Sequence, residues 1–372
     1  MSKSVLKNGL LYLPEGRFAP LEAAFSGGVI TEVGSGLSGR VIDCSGCYVL
    51  PGLVDIHLHG CAGADVCRPE PAALDAVAAY EYSRGVAAFL PTTMTLPEEE
   101  LVSALENIRA YAASEHPGRA AVAGIHLEGP FISPERCGAQ KAGNILPPSA
   151  EKLRRWQRAA GGLIRLVTLA PELEGASELI RECRGEFRFS AGHTAAGYAA
   201  AMEAFAAGAD HVTHLYNAMP PFHHRDTGVI GAALDSPCFV EIICDGVHSS
   251  ATAVRAAFRL FSDRIILISD SMEATGMPDG EYSLGGQRVI KRGSEARLPD
   301  GTLAGSVTDL AACLKAAVEM GIPPEAAAAA ATSTPARSVG IADRYGSIAP
   351  GRKAHFLLLD QKTLEVRDVI SG

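Results

Sequence analysis

The chain has 372 residues, 47% of them hydrophobic and 20% charged, enough to bury the core of one large domain with a smaller one beside it. A formal net charge of −9 without any basic block argues against nucleic acid or an anionic membrane as partner, while a few local donors could still hold a small anionic ligand. No apolar stretch is long enough to span a bilayer, the opening MSKSVLKNGLLYLPEG does not read as a signal peptide, and nine scattered cysteines, an odd number, suit free thiols in a reducing cytoplasm.

Residues 1–50 contain short β-like pieces separated by glycine turns: LKNGLLYL, GGVITEV and RVIDCSG. Two patterns here are decoys. Gly34, Gly36 and Gly39 match a dinucleotide-binding glycine motif, but a strand-like segment follows where a helix N-terminus is required. Cys44 and Cys47 form a C-x-x-C pair with no second pair at zinc-ribbon spacing and no helix after it.

From residue 50 onward, short apolar runs alternate with alanine-rich helical stretches. The first run ends PGLVDIHLHG (51–60). Then come 86–94, 121–129, 163–172, 187–194, 211–217, 240–248 and 264–270, with helix-like segments such as PAALDAVAAYEYSRG, EEELVSALENIRAYAASE and AAAMEAFAAGA between them. Eight strand–helix units predict an α/β fold, a parallel (β/α)8 TIM-like barrel whose active site sits at the strand C-termini. Residues 281–306 resemble a hairpin insertion after the eighth strand, and 325–333 is a strong helix former. Residues 345–372 again look like strands. The organisation expected is a small discontinuous β-sandwich domain, 1–50 plus 345–372, around a barrel of 51–344.

Residues i and i+2 of a strand share a face, so His57 and His59 project together. The ends of the other runs carry Glu128 (third), His193 (fifth), His214 (sixth) and Asp270 (eighth). Four imidazoles and two carboxylates on one rim describe a divalent transition-metal site, zinc or iron. His126 shares a face with Glu128 but lies deeper, where a hydrogen-bonded core histidine is expected. His116, His211, His223, His224 and His355 are expected to be surface or structural, with phosphate contact open for His223 and His224.

The strings PGLVDIHLHG, GIHLEGPFIS, CGAQ, SAGHTAA, THLYNAMPPFHHRDTGVIGA, DGVH, SDSMEATGMPDGEYSLGG, GTLAGS and YGSIAPGRKAHFLLLD, in this order, resemble the N-acetylglucosamine-6-phosphate deacetylases of the amidohydrolase superfamily. The resemblance implies hydrolysis of N-acetyl-D-glucosamine 6-phosphate to D-glucosamine 6-phosphate and acetate by a metal-bound hydroxide. It implies that Glu128, His193 and His214 hold one metal ion, that His57 and His59 hold a second with Glu128 bridging, and that Asp270 is the general acid/base. One or two ions per subunit are compatible with these residues. The family pattern also places Ala139, Gln140, Asn217, Ala218, His248, Leu303, Ala304 and Gly305 against the sugar phosphate. Arg225, whose guanidinium offers paired donors, is expected to reach the site of a neighbouring subunit in a homodimer.

Two departures touch fine specificity: Cys137 stands where basic residues are common, and ISDS replaces the commoner TDA. The galactosamine epimer remains an alternative substrate. Another amidohydrolase activity is a second alternative, although no lysine ends a barrel strand to bridge two metals. A non-catalytic homologue is a third, although no ligand is missing.

Overall fold

The structure, a computed structural model, describes residues 3–372; Met1 and Ser2, at the start of the expected small domain, lie outside the described residues. Eight parallel strands form the barrel: Leu53–Leu58, Val86–Thr93, Ile125–Glu128, Ile164–Leu169, Arg188–Ala191, His211–Val212, Phe239–Ile243 and Ile265–Ile268. Each pairs in parallel with the next in chain order. The seam between the eighth strand and the first has no continuous ladder. It is tied instead by the Asp270 N–H donating to His57 O at 2.9 Å and by Ser269 N–H directed at the Asp55 carboxylate at 3.5 Å. The barrel therefore closes through the same residues that build its mouth.

Helices follow the strands on the outside, among them Pro71–Ser83, Glu98–Ala112, Tyr198–Ala207 and Leu310–Glu319. The last two residues of several predicted runs do not belong to strands. His193 and His214 each stand two residues past a strand end, as does Asp270. The backbone turns off the barrel at those points, and all three take positive φ (46°, 29° and 49°). A non-glycine residue in that region is strained, and such strain gathers where side chains must be aimed.

The termini form two further sheets. One has strands Val29–Gly34, Glu22–Ser26, Ser4–Lys7 and Arg40–Asp43; the other has Val366–Ser371, His355–Asp360, Cys47–Pro51, Leu10–Leu13 and Arg17–Ala19. They pack over their own apolar core, which includes Leu6, Leu11, Phe25, Ile30, Val49 and Phe356. Cys44 and Cys47 are buried free thiols within that core, consistent with packing rather than metal binding. The chain passes from Cys47–Pro51 straight into the first barrel strand through Gly52. A Cβ there would collide with the His355 ring and with Ala87, so only glycine fits.

The insertion after the eighth strand differs from the expected hairpin. It is a three-stranded antiparallel sheet, Gly280–Leu284, Gln287–Arg292 and Glu295–Arg297. The first turn is Gly285–Gly286 and the second uses Gly293, all at positive φ. That second glycine turn adds the third strand.

Candidate metal centre at the barrel mouth

His57, His59, Glu128, His193, His214 and Asp270 all converge on the C-terminal mouth. His193 Nε2 and His214 Nε2 lie 3.1 Å apart, and Glu128 Oε1 is 3.2 Å and 3.1 Å from them. A tetrahedral ion with bonds of about 2.0–2.1 Å has ligand–ligand edges of about 3.3 Å, so three donors at this spacing fit one ion. A second set adjoins the first. His57 Nε2 is 3.3 Å from Glu128 Oε1, and His59 Nε2 is 3.3 Å from Glu128 Oε2. Asp270 Oδ1 completes it at 3.6 Å from His57 Nε2 and 3.3 Å from His59 Nε2. Glu128 thus faces both sets. His57 is fully buried, yet its Nε2 has no hydrogen-bond partner among the described residues. An orphaned lone pair aimed at carboxylates is what a cation site leaves when only the protein is considered.

The electrostatics agree. Burial pushes the carboxyls of Glu128 and Asp270 up, but the imidazoles outweigh it, taking Glu128 well below the usual range and Asp270 to about 2. Burial depresses the imidazoles of His57 and His59, and the same carboxylates more than reverse that, raising His59 to about 9 and His57 well above its ordinary value. Without an ion, protons take its place as the positive charge. His126 behaves as a core histidine. Its Nδ1 lies 3.1 Å from Ile56 O, its Nε2 lies 2.7 Å from Thr168 Oγ1, and burial keeps it neutral.

A cleft of about 190 Å³ opens onto these donors. Its walls include Ala139, Gln140, Asn217, Ala218, His248, Leu303 and Gly305 from the expected substrate set. Ala304 sits behind the wall, fully buried. Arg225 does not line the cleft; it is exposed, with Nη1 at 2.8 Å from His224 Nε2. The Gln140 side chain is committed to Glu128 and Thr95: Nε2 donates to Glu128 Oε2 at 2.6 Å, and Oε1 accepts from Thr95 N–H at 2.7 Å. Asn217 turns Nδ2 toward the backbone oxygens of His214 and Leu215. His248 gives Nδ1 to Asp245 Oδ2 at 2.7 Å, and that pairing raises its pKa against the effect of burial.

Several working residues escaped the sequence reading. Leu284 and Thr302, from the insertion, form part of the cleft wall, and Met94 faces them. Ser306 holds the Asp270 segment by donating N–H to Asp270 O at 2.7 Å and Oγ to Ser269 O at 2.6 Å. Beside it Gly305, which the sequence reading placed at the substrate, packs so closely that a Cβ would sit 3.0 Å from Asp270 O. Glu241, buried in the seventh strand, places Oε2 at 2.9 Å from His57 Nδ1. Its signal was available: a single carboxylate in the apolar run FVEII.

A closed parallel barrel with histidines and carboxylates gathered at its catalytic end defines a divalent-metal hydrolase. The amidohydrolase family model matches residues 48–371, and the chain belongs to that family. It is 43% identical over 330 residues to the N-acetylglucosamine-6-phosphate deacetylase of Bacillus subtilis (strain 168), covering 87% of this chain and 83% of that one. It is 38% identical over 313 residues to the N-acetylgalactosamine-6-phosphate deacetylase of Escherichia coli O157:H7, covering 83% of each. The Mycobacterium smegmatis N-acetyl-D-glucosamine-6-phosphate deacetylase, solved as a variant in complex with N-acetyl-D-glucosamine-6-phosphate, superposes with a TM-score of 0.93 at 29% identity, covering 100% of this chain and 98% of that one. The resemblance expected from the motifs is borne out.

Proposed function

We propose that the chain hydrolyses N-acetyl-D-glucosamine 6-phosphate to D-glucosamine 6-phosphate and acetate. The observation that carries the chemistry is Asp270 Oδ1, 3.3 Å from His59 Nε2 on the cleft side of a donor set that shares Glu128. The relatives' substrates support the choice of sugar phosphate.

Glu128, His193 and His214 would hold one divalent ion, and His57 and His59 a second with Glu128 shared, zinc or iron in each case. A bound ion supplies an acidified water and a Lewis acid for the acetamide carbonyl. Asp270, ionised at neutral pH, takes the proton from the attacking water. It then gives that proton to the sugar nitrogen as the tetrahedral intermediate collapses and acetate departs. Ser306 and Gly305 fix the segment that carries it. Gln140 steadies Glu128 through its amide. His248, held by Asp245, presents its second ring nitrogen as a donor to the sugar phosphate.

Arg225 is too exposed to act within its own subunit's cleft. With Phe222, 50% exposed on the same loop, it suits reach into a neighbouring site of a homodimer. Among the described residues no helix is long and apolar enough to cross a membrane. We place the enzyme in the cytoplasm. The deciding experiment measures acetate release and kcat/KM on N-acetylglucosamine 6-phosphate. The galactosamine epimer, kept open by the 38% identity to its deacetylase, is assayed in parallel.

A further inference from the structure

An imidazole that faces an ion is oriented by the bond its remote nitrogen makes, which fixes the tautomer and the ring. Of the four here, only His214 leaves that nitrogen, Nδ1, without a partner among the described residues. His59 and His193 use neutral acceptors: His59 Nδ1 is 3.0 Å from Thr92 O, and His193 Nδ1 is 3.0 Å from Arg136 O. His57 differs. Its Nδ1 faces a carboxylate, Glu241 Oε2, at 2.9 Å. The same oxygen accepts the backbone N–H of His214 at 3.3 Å, so one side chain touches residues of both donor sets.

Energetics argue against Glu241 as a plain core residue. It is fully buried between Val240 and Ile242, it has no Lys or Arg partner among the described residues, and its Oε1 has no hydrogen bond. Burying a carboxylate there is strongly unfavourable unless positive charge is close. His57, His126 and Glu241 lie near enough to be taken for a separate ion site. Both nitrogens of His126 are already engaged, by Ile56 O and Thr168 Oγ1, which leaves His57 as the one of these two imidazoles that pairs with Glu241.

We infer that Glu241 is a positioning residue that holds the proton on His57 Nδ1, turns Nε2 toward Glu128 and Asp270, and strengthens the ion position formed by His57 and His59. The inference rests on the two-ion reading proposed above. A hydrophobic residue would have packed the strand equally well; only a carboxylate both orients the ring and makes its far nitrogen a stronger donor.

The test compares wild type, Glu241→Gln, Glu241→Leu, His57→Gln and the double variant His57→Gln/Glu241→Gln. Each is stripped of metal and titrated with Zn²⁺ against a chromogenic chelator, with thermal unfolding of the metal-free forms alongside. Wild type should take two ions per chain. Glu241→Gln keeps the shape and an acceptor oxygen, and should weaken one ion by about 10–100-fold while sparing the other. Glu241→Leu should lose that ion. Adding Glu241→Gln to His57→Gln should change nothing further, because Glu241 acts through His57. Two ions held at wild-type affinity by both Glu241 variants would overturn the inference, as would equal weakening of both ions, the mark of a merely structural carboxylate. One ion on wild type would refute the two-ion reading itself, a result distinct from either.

Discussion

The barrel mouth and the terminal sheets belong to one chain and follow opposite rules. The core of the sheets holds Leu6, Leu11, Phe25, Ile30, Val49 and Phe356, with the Phe25 and Phe356 rings 5.4 Å apart. The mouth buries four imidazoles with Glu128, Asp270 and Glu241, and sets His193, His214, Ala218 and Asp270 at positive φ. Apolar burial favours folding wherever it occurs. A strained cluster of buried ionisable groups gains nothing of that kind and depends on pairing of opposite charges, carboxylates with protonated imidazoles or with bound cations. Stability therefore resides in the sheets and the barrel walls, and function in a rim that those walls force together.

The largest effect that sharpens this contrast is metal removal. Dialysis against a strong chelator should abolish acetate release while leaving far-UV circular dichroism intact, and Zn²⁺ or Fe²⁺ should restore turnover. Next is Asp270→Asn, expected to lower kcat by about 10²–10⁴-fold with metal content, measured by elemental analysis, largely retained.

Arg225→Ala should raise KM for the sugar phosphate by about 10–100-fold, the weight of a charge-assisted hydrogen bond, with kcat less affected. Mixing it with Asp270→Asn tests the exchange of arginines directly. Heterodimers would pair one intact acid with one intact arginine and recover roughly a quarter of the sites. Absence of recovery in a sample shown to exchange subunits would break the proposal for Arg225.

The pH dependence of metal uptake has a definite sign. In the metal-free chain the carboxylates hold His59 at about 9 and His57 well above its ordinary value, so both are protonated at neutral pH and an ion must displace those protons. Metal affinity should rise with pH up to about 9, and uptake at pH 7 should release protons into a weakly buffered solution. The linked stability runs the other way. A raised histidine pKa stabilises the metal-free fold fully below the unfolded value of about 6.5, and that contribution is lost as pH rises through about 9. The Tm of the metal-free form should therefore fall across that interval, with less change in the loaded form. The smallest effect on catalysis comes from the other region. Phe356→Ala should cost about 3–5 kcal/mol of stability, seen in denaturant melts, with kcat per folded molecule unchanged.

How much of this was legible follows from the same contrast. The barrel was readable because strand and helix periods alternate eight times, and the candidate metal centre because His57, His59, Glu128, His193, His214 and Asp270 each end an apolar run. Glu241 was not read because it lies inside a run rather than at its end. Its importance appears only when the seventh strand is seen beside the first. Ser306 and Gly305 act on Asp270 across the insertion, a contact between segments 35 or so residues apart that no local pattern encodes. The Gln140 side chain, expected at the substrate, is turned to Glu128, whose carboxylate faces both donor sets. The third strand of the insertion hung on Gly293, one glycine in a stretch already rich in turns.

The most direct measurement is acetate release from N-acetylglucosamine 6-phosphate by the purified, metal-analysed chain, with Asp270→Asn as control. Multiple turnovers by the metal-loaded wild type and a collapse in the control are the predicted result. A folded, metal-loaded wild type that releases no acetate from either 6-phosphate epimer would contradict it.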